Sequence, residues 1–93
     1  MEKGGKFLKE RIGVISAILE NPKSSQYEFN KIVSEYKRII KGRMGIPFDE
    51  EDISVISITV VGTLDEINSL TGKLGNLHEC IVKTSISKKE LDI

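Results

Sequence analysis

A strand with apolar side chains on both faces is predicted by the run Ile53-Ser54-Val55-Ile56-Ser57-Ile58-Thr59-Val60-Val61. β-branched residues fill most of this run, and they favour extended backbone. Alternation places Ile56, Ile58 and Val60 on one face, and it places Ile53, Val55 and Val61 with Ser57 and Thr59 on the other. The run Ile12 to Leu19 is also apolar on both faces. Both are therefore expected to be central strands, either covered on two sides or with one face waiting for a partner.

A helix and a second strand are predicted between these two runs. Ser25 and Glu28 have the spacing of a capping box, which indicates a helix start. Apolar residues then recur at helical spacing, at Phe29, Ile32, Val33 and Tyr36. The second strand is expected at about 38–46, and the acidic run 49–52 is expected to form the exposed turn that follows.

A second helix and a last strand are predicted after Gly62. Thr63 and Glu66 repeat the capping-box spacing, and an apolar stripe follows at Leu64, Ile67, Leu70 and Leu74. Gly75-Asn76 suits the end of this helix, because either residue tolerates the left-handed backbone conformation found there. The last strand is expected at about 79–87, and its half-polar alternation is typical of a sheet edge.

The element order β-α-β-β-α-β predicts an α+β domain of ferredoxin-like architecture. This is a four-stranded antiparallel sheet of order 4-1-3-2 with two helices on one face. Residues 11–87 are expected to form the single domain, after a flexible leader at 1–10 and before a charged tail at 88–93. Two helices cover only one face of the sheet, although both central strands are apolar on both. A homodimer or homotetramer is therefore expected.

Composition excludes several classes of protein. The chain has 93 residues, with 14 basic and 14 acidic side chains, so it lacks the basic footprint of a self-sufficient nucleic-acid binder. It contains neither the apolar core of a signal peptide nor a run long enough to span a bilayer. The single Cys80 cannot form an internal disulfide, which agrees with a reducing compartment. A cytoplasmic protein without membrane contact is expected.

The run Ile39 to Pro47 contains two glycines, an arginine and a proline within an apolar segment. Arg43 could bind a carboxylate or phosphate, and Gly42 and Gly45 would let backbone N–H groups approach the ligand. The alternative is a strand bend with a solvated arginine. We expect a small-molecule or anion site here, at a subunit boundary and within reach of the loop that contains Asn21.

No catalytic or nucleotide-binding set can be assembled from the sequence. With one histidine, no nucleophile and base pair can be nominated, so an enzyme is not expected. His78 and Cys80 could provide two metal ligands, but the chain offers no further histidine or cysteine, and a structural role is preferred. Gly72 and Gly75 lie within a predicted helix and not after a strand, so no nucleotide site is expected, and no cofactor either.

From Arg11 to Ser87 the sequence resembles the iron-only hydrogenase system regulator family. These are small regulators with an ACT-like fold, similar to the C-terminal domain of the nickel-responsive repressor. The resemblance rests on four segments, namely Arg11-Ile12-Gly13-Val14, Gly42-Arg43-Met44-Gly45-Ile46-Pro47, Val55-Ile56-Ser57 and the stretch 62–75 with its Gly62-Thr63, Asp65-Glu66-Ile67-Asn68 and Leu70-Thr71-Gly72-Lys73-Leu74-Gly75.

This resemblance implies a role in transcriptional regulation, with ligand sensing or oligomerisation as the task of the domain. The alternative is a pure protein-interaction module in hydrogenase assembly with no small-molecule ligand. The nickel repressor binds its metal through several histidines, which this chain lacks, so nickel binding is not implied. Its DNA-binding arm would have to precede Arg11, and ten residues cannot build it. We therefore expect no direct sequence-specific nucleic-acid binding, and a partner protein that reads DNA.

Overall fold

The computed structural model describes residues 9–92, which form one four-stranded antiparallel sheet and two α-helices. The elements in chain order are β1 (Glu10–Leu19), α1 (Pro22–Ser34), β2 (Ile40–Phe48), β3 (Ile53–Thr63), α2 (Leu64–Gly75) and β4 (Cys80–Ile86). The strands lie in the order β2-β3-β1-β4, which is the predicted order 4-1-3-2 written from the other edge. The α+β, ferredoxin-like prediction is confirmed, with β1 and β3 in the centre.

The hydrophobic core lies between the helices and one face of the sheet. Alternation along β1 points Ile15, Ala17 and Leu19 towards the helices, and each is at most 1% exposed. Phe29 of α1 and Leu70 of α2 are fully buried against this layer. The remaining buried apolar residues are Val33, Ile39, Ile56, Ile58, Val60, Ile67 and Leu74. The helical spacings seen in the sequence therefore mark the packed sides of both helices.

The other face of the sheet carries apolar residues that neither helix covers. Ile12, Val14 and Ile18 of β1 are 42%, 41% and 39% exposed. Met44, Ile46, Phe48 and Ile81 of the edge strands are exposed as well. We call this surface the open face. The central strands are apolar on both faces because one set of their side chains lies in the core and the other set lies on the open face.

Three local predictions on the first half of the chain were wrong. The first helix begins at Pro22, with Asn21 as its N-cap residue, and not at Ser25. Proline is accommodated at the first helical position, because the N–H that it lacks would have no helical partner there. The Ser25 hydroxyl, which lies inside the helix, donates to the Asn21 carbonyl oxygen over 3.2 Å. The second strand begins at Ile40, since residues 37–39 form a short 3₁₀ turn, and it continues to Phe48.

The predictions around α2 were confirmed at its start and only partly at its end. The Thr63 hydroxyl accepts from the Glu66 N–H, and the Glu66 carboxylate accepts from the Thr63 N–H, which completes the capping box. The helix ends at Gly75 as expected, but Asn76 stays right-handed with φ −84°. Between α2 and β4, the left-handed conformation is instead adopted by Glu79, with φ 53°.

Gly62 makes the close connection between β3 and α2 sterically possible. A Cβ atom at this position would lie 2.9 Å from Cγ2 of Ile39 and 3.0 Å from Oε1 of Glu66. The Glu66 carboxylate also forms an ion pair with Arg38. Glycine is therefore needed here for space, and its φ is not positive.

The described ends of the chain lie beside each other. Leu91 pairs with Glu10 in an isolated antiparallel bridge, and Lys9 forms an ion pair with Asp92. Arg11 Nη2 lies 3.4 Å from Oε2 of Glu90. Most of the predicted leader, residues 1–8, lies outside the described residues, as does Ile93. The domain limits 11–87 stay a prediction.

Neither helix in residues 9–92 has the length and apolar character that crossing a bilayer requires.

Candidate functional site

β2 is exposed along nearly its whole length. All residues from Lys41 to Phe48 are exposed, whereas the central strands bury every second side chain. The cause is the position of the helices, because α1 packs on β1 while α2 packs on β4, β3 and β1. β2 therefore forms an uncovered edge of the sheet, and it carries three of the four predicted ligand-binding residues.

Arg43 lies on the helix side of this edge. Its register partner is Ile58, whose side chain points into the core. Nη2 of Arg43 donates a hydrogen bond to Oδ1 of Asn30 over 2.7 Å, and the guanidinium carbon lies 5.6 Å from the centre of the Phe29 ring. These contacts orient the guanidinium through a neutral amide and an aromatic face. Within residues 9–92 no carboxylate forms an ion pair with Arg43, so its charge is available to an anion.

Gly42 and Gly45 flank Arg43 with open space around them. A Cβ atom at Gly42 would meet no atom within 4 Å, and one at Gly45 would meet only Cγ1 of Ile56, at 4.0 Å. Neither glycine has a positive φ. Contacts and backbone conformation within the described residues therefore do not require glycine at these two positions. The two positions are open to the approach of another molecule, as the ligand-site prediction requires.

Asn21, the fourth predicted residue, lies elsewhere. It immediately precedes α1, and its Nδ2 donates to Oε1 of Glu79 in the loop before β4, over 3.2 Å. The register places Pro47 level with Leu19, where β1 ends and the loop that contains Asn21 begins, with Ser54 of β3 between the two residues. Arg43 is four residues further along β2, which is about 13 Å at 3.3 Å per residue. The structure therefore brings Gly42, Arg43 and Gly45 together but does not bring Asn21 to them.

Asn30 and Phe29 are the residues beside Arg43 that sequence reasoning missed. Phe29 was identified only as a residue of the apolar stripe of the first helix, and Asn30 was not singled out at all. No local pattern points to them, since the contact depends on how α1 lies across the sheet. The asparagine that contacts Arg43 is therefore Asn30 of α1, and not the predicted Asn21 in the loop before α1.

A cleft of about 410 Å³ lies at the far end of β2. It separates the first turn of α1 from the hairpin that joins β2 and β3. Lys23 and Gln26 line it on the helix side, and Asp49 and Asp52 line it on the hairpin side. The remaining lining residues are Pro22, Pro47, Phe48, Ile53 and Ser54. Arg43 and the two glycines are not among its lining residues.

His78 and Cys80 do not lie in a ligand cluster. His78 is exposed, and its Nε2 lies 3.2 Å from Oε1 of Glu79. Burial raises the pKa of the Cys80 thiol, so the thiolate that a metal would bind is disfavoured. In the part of the chain that the structure describes, no three residues of the types His, Cys, Asp or Glu are grouped closely enough to hold a metal ion.

Comparison with solved structures identifies similar folds. The uncharacterized protein TM1266 from Thermotoga maritima superposes with a TM-score of 0.81 at 26% identity, over 86% of this chain and 100% of that one. SnoaB, a cofactor-independent oxygenase from Streptomyces nogalater, gives a TM-score of 0.53 at 13% identity, over 87% and 93% of the two chains. The apo form of CPII from Thiomonas intermedia K12, a nitrogen regulatory PII-like protein, gives 0.50 at 15% identity, over 90% and 98%. The last two likenesses concern the fold alone.

Sequence comparison assigns the family. No curated protein matches the chain. Residues 11–84 match the TM1266-like family, which is described as "Iron-only hydrogenase system regulator, putative". The match includes both central strands, both helices and the Gly42–Pro47 segment. The chain therefore belongs to the TM1266-like family of iron-only hydrogenase system regulators.

Proposed function

We propose that this protein regulates the iron-only hydrogenase system as a homo-oligomeric, ligand-sensing ACT-like domain that acts on transcription through a DNA-reading partner protein. The open face is the observation that carries this proposal. A face with isoleucine and valine 39–42% exposed in a central strand is a surface that another molecule is expected to cover. Its expected place is the cytoplasm, where the Cys80 thiol stays reduced.

A second copy of the chain fits the open face by size and charge. Four strands about 4.8 Å apart and roughly 30 Å long give about 570 Å² per copy. Two such faces together bury on the order of 1,100 Å², which is about the minimum for a specific interface. Near the middle of this face the charged residue is Lys83, which lies opposite Ser16 of β1 and therefore on the same face as Val14 and Ile18. A nearly uncharged face can pack against its own copy without opposing many like charges.

Ligand sensing is supported by the strip of Gly42, Arg43 and Gly45. An arginine that is oriented by Asn30 and Phe29 is prepared for an anionic group, since two of its neighbours already fix its position. The two glycines leave the backbone open beside it. The ligand class proposed is a small carboxylate or phosphate.

A partner for DNA recognition is proposed because the described surface lacks a basic side. The chain has no net charge at pH 7. α1 carries Lys23 and Lys31 together with Glu28, and α2 carries Lys73 together with Asp65 and Glu66. A helix that reads a DNA groove uses basic and amide side chains along one side.

A pure interaction module in hydrogenase assembly is the second candidate. Arg43 is already hydrogen bonded to Asn30, and its guanidinium carbon lies 5.6 Å from the centre of the Phe29 ring of the same chain. The same contacts would stiffen an exposed edge strand even if no ligand binds. An interaction module needs the open face but not the positive charge of Arg43.

Deletion and complementation test the regulatory role. Hydrogenase transcripts and assembled hydrogenase activity are measured in a strain that lacks the gene and carries wild type, Val14→Lys or Asn68→Lys. Val14→Lys places a charge on the open face, whereas Asn68→Lys places the same charge on the exposed side of α2. We expect transcripts to change on deletion and to recover with wild type and Asn68→Lys only. Unchanged transcripts with lost activity would support the assembly module, and no change in either would overturn both candidates.

A further inference from the structure

We propose that Arg43 and the cleft at the start of α1 are the two ends of one groove, which binds an elongated molecule with an anionic group at one end and an amine at the other. The inference deepens the ligand-sensing role of the proposed function and rests on it. The groove lies between one side of α1 and the uncovered strand β2. Its ends are marked by the hydrogen bond between Asn30 and Arg43 and by the cleft of about 410 Å³.

The helix wall of the groove is one row of polar side chains. Lys23, Gln26 and Asn30 recur at spacings of three and four residues, which places them on the same side of α1. Asn30 reaches Arg43 at one end. Lys23 and Gln26 line the cleft at the other end, so the whole row faces β2. The helix rises about 1.5 Å per residue from Lys23 to Asn30, so the two ends of the groove are roughly 10 Å apart.

The floor of the groove is the helix-facing side of β2. Arg43, Gly45 and Pro47 share this side, because side chains alternate along a strand with a period of two. Gly45 lies midway between the two ends, and a Cβ atom there would meet only Cγ1 of Ile56, at 4.0 Å. Glycine weakens a strand interior, so its presence calls for a compensating role. A clear path from Arg43 to the cleft provides that role.

The two ends of the groove differ in charge. Arg43 forms no ion pair within residues 9–92, so its end presents an uncompensated positive charge. At the other end Asp49 and Asp52 line the cleft opposite Lys23, and none of these three groups is in an ion pair within the same residues. Two carboxylates against one ammonium make this end negative, and residues 50–51 of the same turn are acidic as well. A molecule that is anionic at one end and cationic at the other complements both ends.

Two other classes of ligand fit the groove less well. A compact zwitterion would contact only one end, because its charges are adjacent. An elongated dianion would reach Arg43 and Lys23, but its second anionic group would face the carboxylates of Asp49 and Asp52. Lys23 therefore distinguishes the classes, because it competes with a ligand amine for these carboxylates and would attract a second anion.

Isothermal titration calorimetry of the full chain with four carboxylates tests the groove. The probe is ω-aminooctanoate, whose extended chain separates its amine from its carboxylate by about the length of the groove. Octanoate lacks the amine, octanedioate replaces it with a second carboxylate, and γ-aminobutyrate is too short to reach both ends. We expect ω-aminooctanoate to bind about tenfold or more tightly than each of the other three, because it alone gains a charge-assisted contact at both ends. Equal binding of octanoate would overturn the proposal.

Substitutions at each end identify the contacts. Arg43→Ala and the double variant Asp49→Asn/Asp52→Asn are each expected to weaken ω-aminooctanoate about tenfold or more. Asparagine suits position 52, where φ is 53°, because it tolerates the left-handed conformation. Lys83→Ala, on β4, is the control and should change nothing. None of these residues is buried, so the substitutions leave the core intact.

Lys23→Gln gives the deciding result. It should tighten ω-aminooctanoate and weaken octanedioate, because it removes the competitor of the amine and the attraction for a second anion. Weaker binding of ω-aminooctanoate to Lys23→Gln would place an anion in the cleft and overturn the proposal. Octanoate binding that depends on Arg43 alone would also overturn it, but would leave ligand sensing standing. If wild type binds none of the four probes, the groove is overturned, and the transcript measurement still tests the regulatory role independently.

Discussion

Nη2 of Arg43 is hydrogen bonded to Oδ1 of Asn30 over 2.7 Å, and this bond joins an otherwise exposed edge strand to the first helix. The amide accepts one of the five N–H groups of the guanidinium and leaves its charge uncompensated. The centre of the Phe29 ring lies 5.6 Å from the guanidinium carbon, and this cation–π contact is a second restraint on the position of the guanidinium. A candidate ligand is therefore expected to meet a positioned cation and not a freely moving side chain.

Arg43→Ala is expected to abolish stabilisation by any ligand found in a thermal-shift screen of small carboxylates and phosphates. A ligand at 100 times its dissociation constant stabilises the folded state by about 2.7 kcal/mol. Asn30→Ala retains the charge but loses the orientation, so its response should be weakened and not lost. Lys83→Ala removes a charge far from this strip and serves as the control. A full response in Arg43→Ala would place the ligand elsewhere, and a screen without any response would favour the pure interaction module.

Sequence-specific DNA binding by this chain alone is not expected. With no net charge it can neutralise few phosphates, and binding at about 150 mM salt should be weak and independent of sequence. Fluorescence anisotropy with hydrogenase promoter fragments and a scrambled fragment measures this directly. Specific binding is typically 10³-fold or more tighter than non-specific binding. Submicromolar binding that survives competitor DNA would contradict the expectation.

Gly62→Ala is expected to lower the free energy of unfolding by about 1–3 kcal/mol, because its Cβ would overlap a core side chain. The distance of 2.9 Å to Cγ2 of Ile39 leaves no room without backbone movement. Gly72→Ala, in the last turn of α2 with nothing within 4 Å of its Cβ, is the matched control. It should raise stability by about 0.5–1 kcal/mol through helix propensity. Urea unfolding of both variants gives the comparison, and equal effects would show that the close contact near Ile39 is absent.

Thr63→Ala is expected to cost about 1 kcal/mol, because it removes the side chain that caps α2. Glu28→Ala should change stability by less than about 0.5 kcal/mol, since the similar Ser25 and Glu28 pair lies inside α1 and caps nothing. Chemical denaturation separates the two cases. A large loss in Glu28→Ala would mean that α1 begins where the sequence pattern alone places it.

Tyr36 is expected to ionise at a lower pH than an ordinary tyrosine. Its hydroxyl lies 2.7 Å from Oγ of Ser69, and this hydrogen bond, followed by the interaction with Lys73, lowers its pKa below 10.0. An ultraviolet titration in a Tyr27→Phe background reports Tyr36 alone, and Ser69→Ala should move the pKa back towards its ordinary value. Because the folded pKa is the lower one, this group should add stability as the pH rises from the folded value to the unfolded one. That contribution should be lost as the pH falls through the folded pKa.

Local patterns in the sequence were enough to determine the element order and the sheet. Alternation in β1 and β3 follows from the two-residue period of a strand, and the spacing in both helices follows from the 3.6-residue period of a helix. Both periods can be recognised from neighbouring residues without any knowledge of tertiary contacts. The Thr63 capping box is equally local. With two helices for one sheet, these periods also require one apolar face to remain open, as Ile12 and Val14 show.

Tertiary structure decided the details that depend on distant segments. Ser25 and Thr63 have the same local capping pattern, but the first helix starts earlier, at Pro22, after an Asn21 that is hydrogen bonded to the distant Glu79, and Ser25 lies buried inside the helix. Asn21 and Asn30 are both polar residues near α1, yet only the path of the helix over the sheet brings Asn30 to Arg43. Strand register and helix placement set such contacts through the packing of the whole core, so no short stretch of sequence contains them.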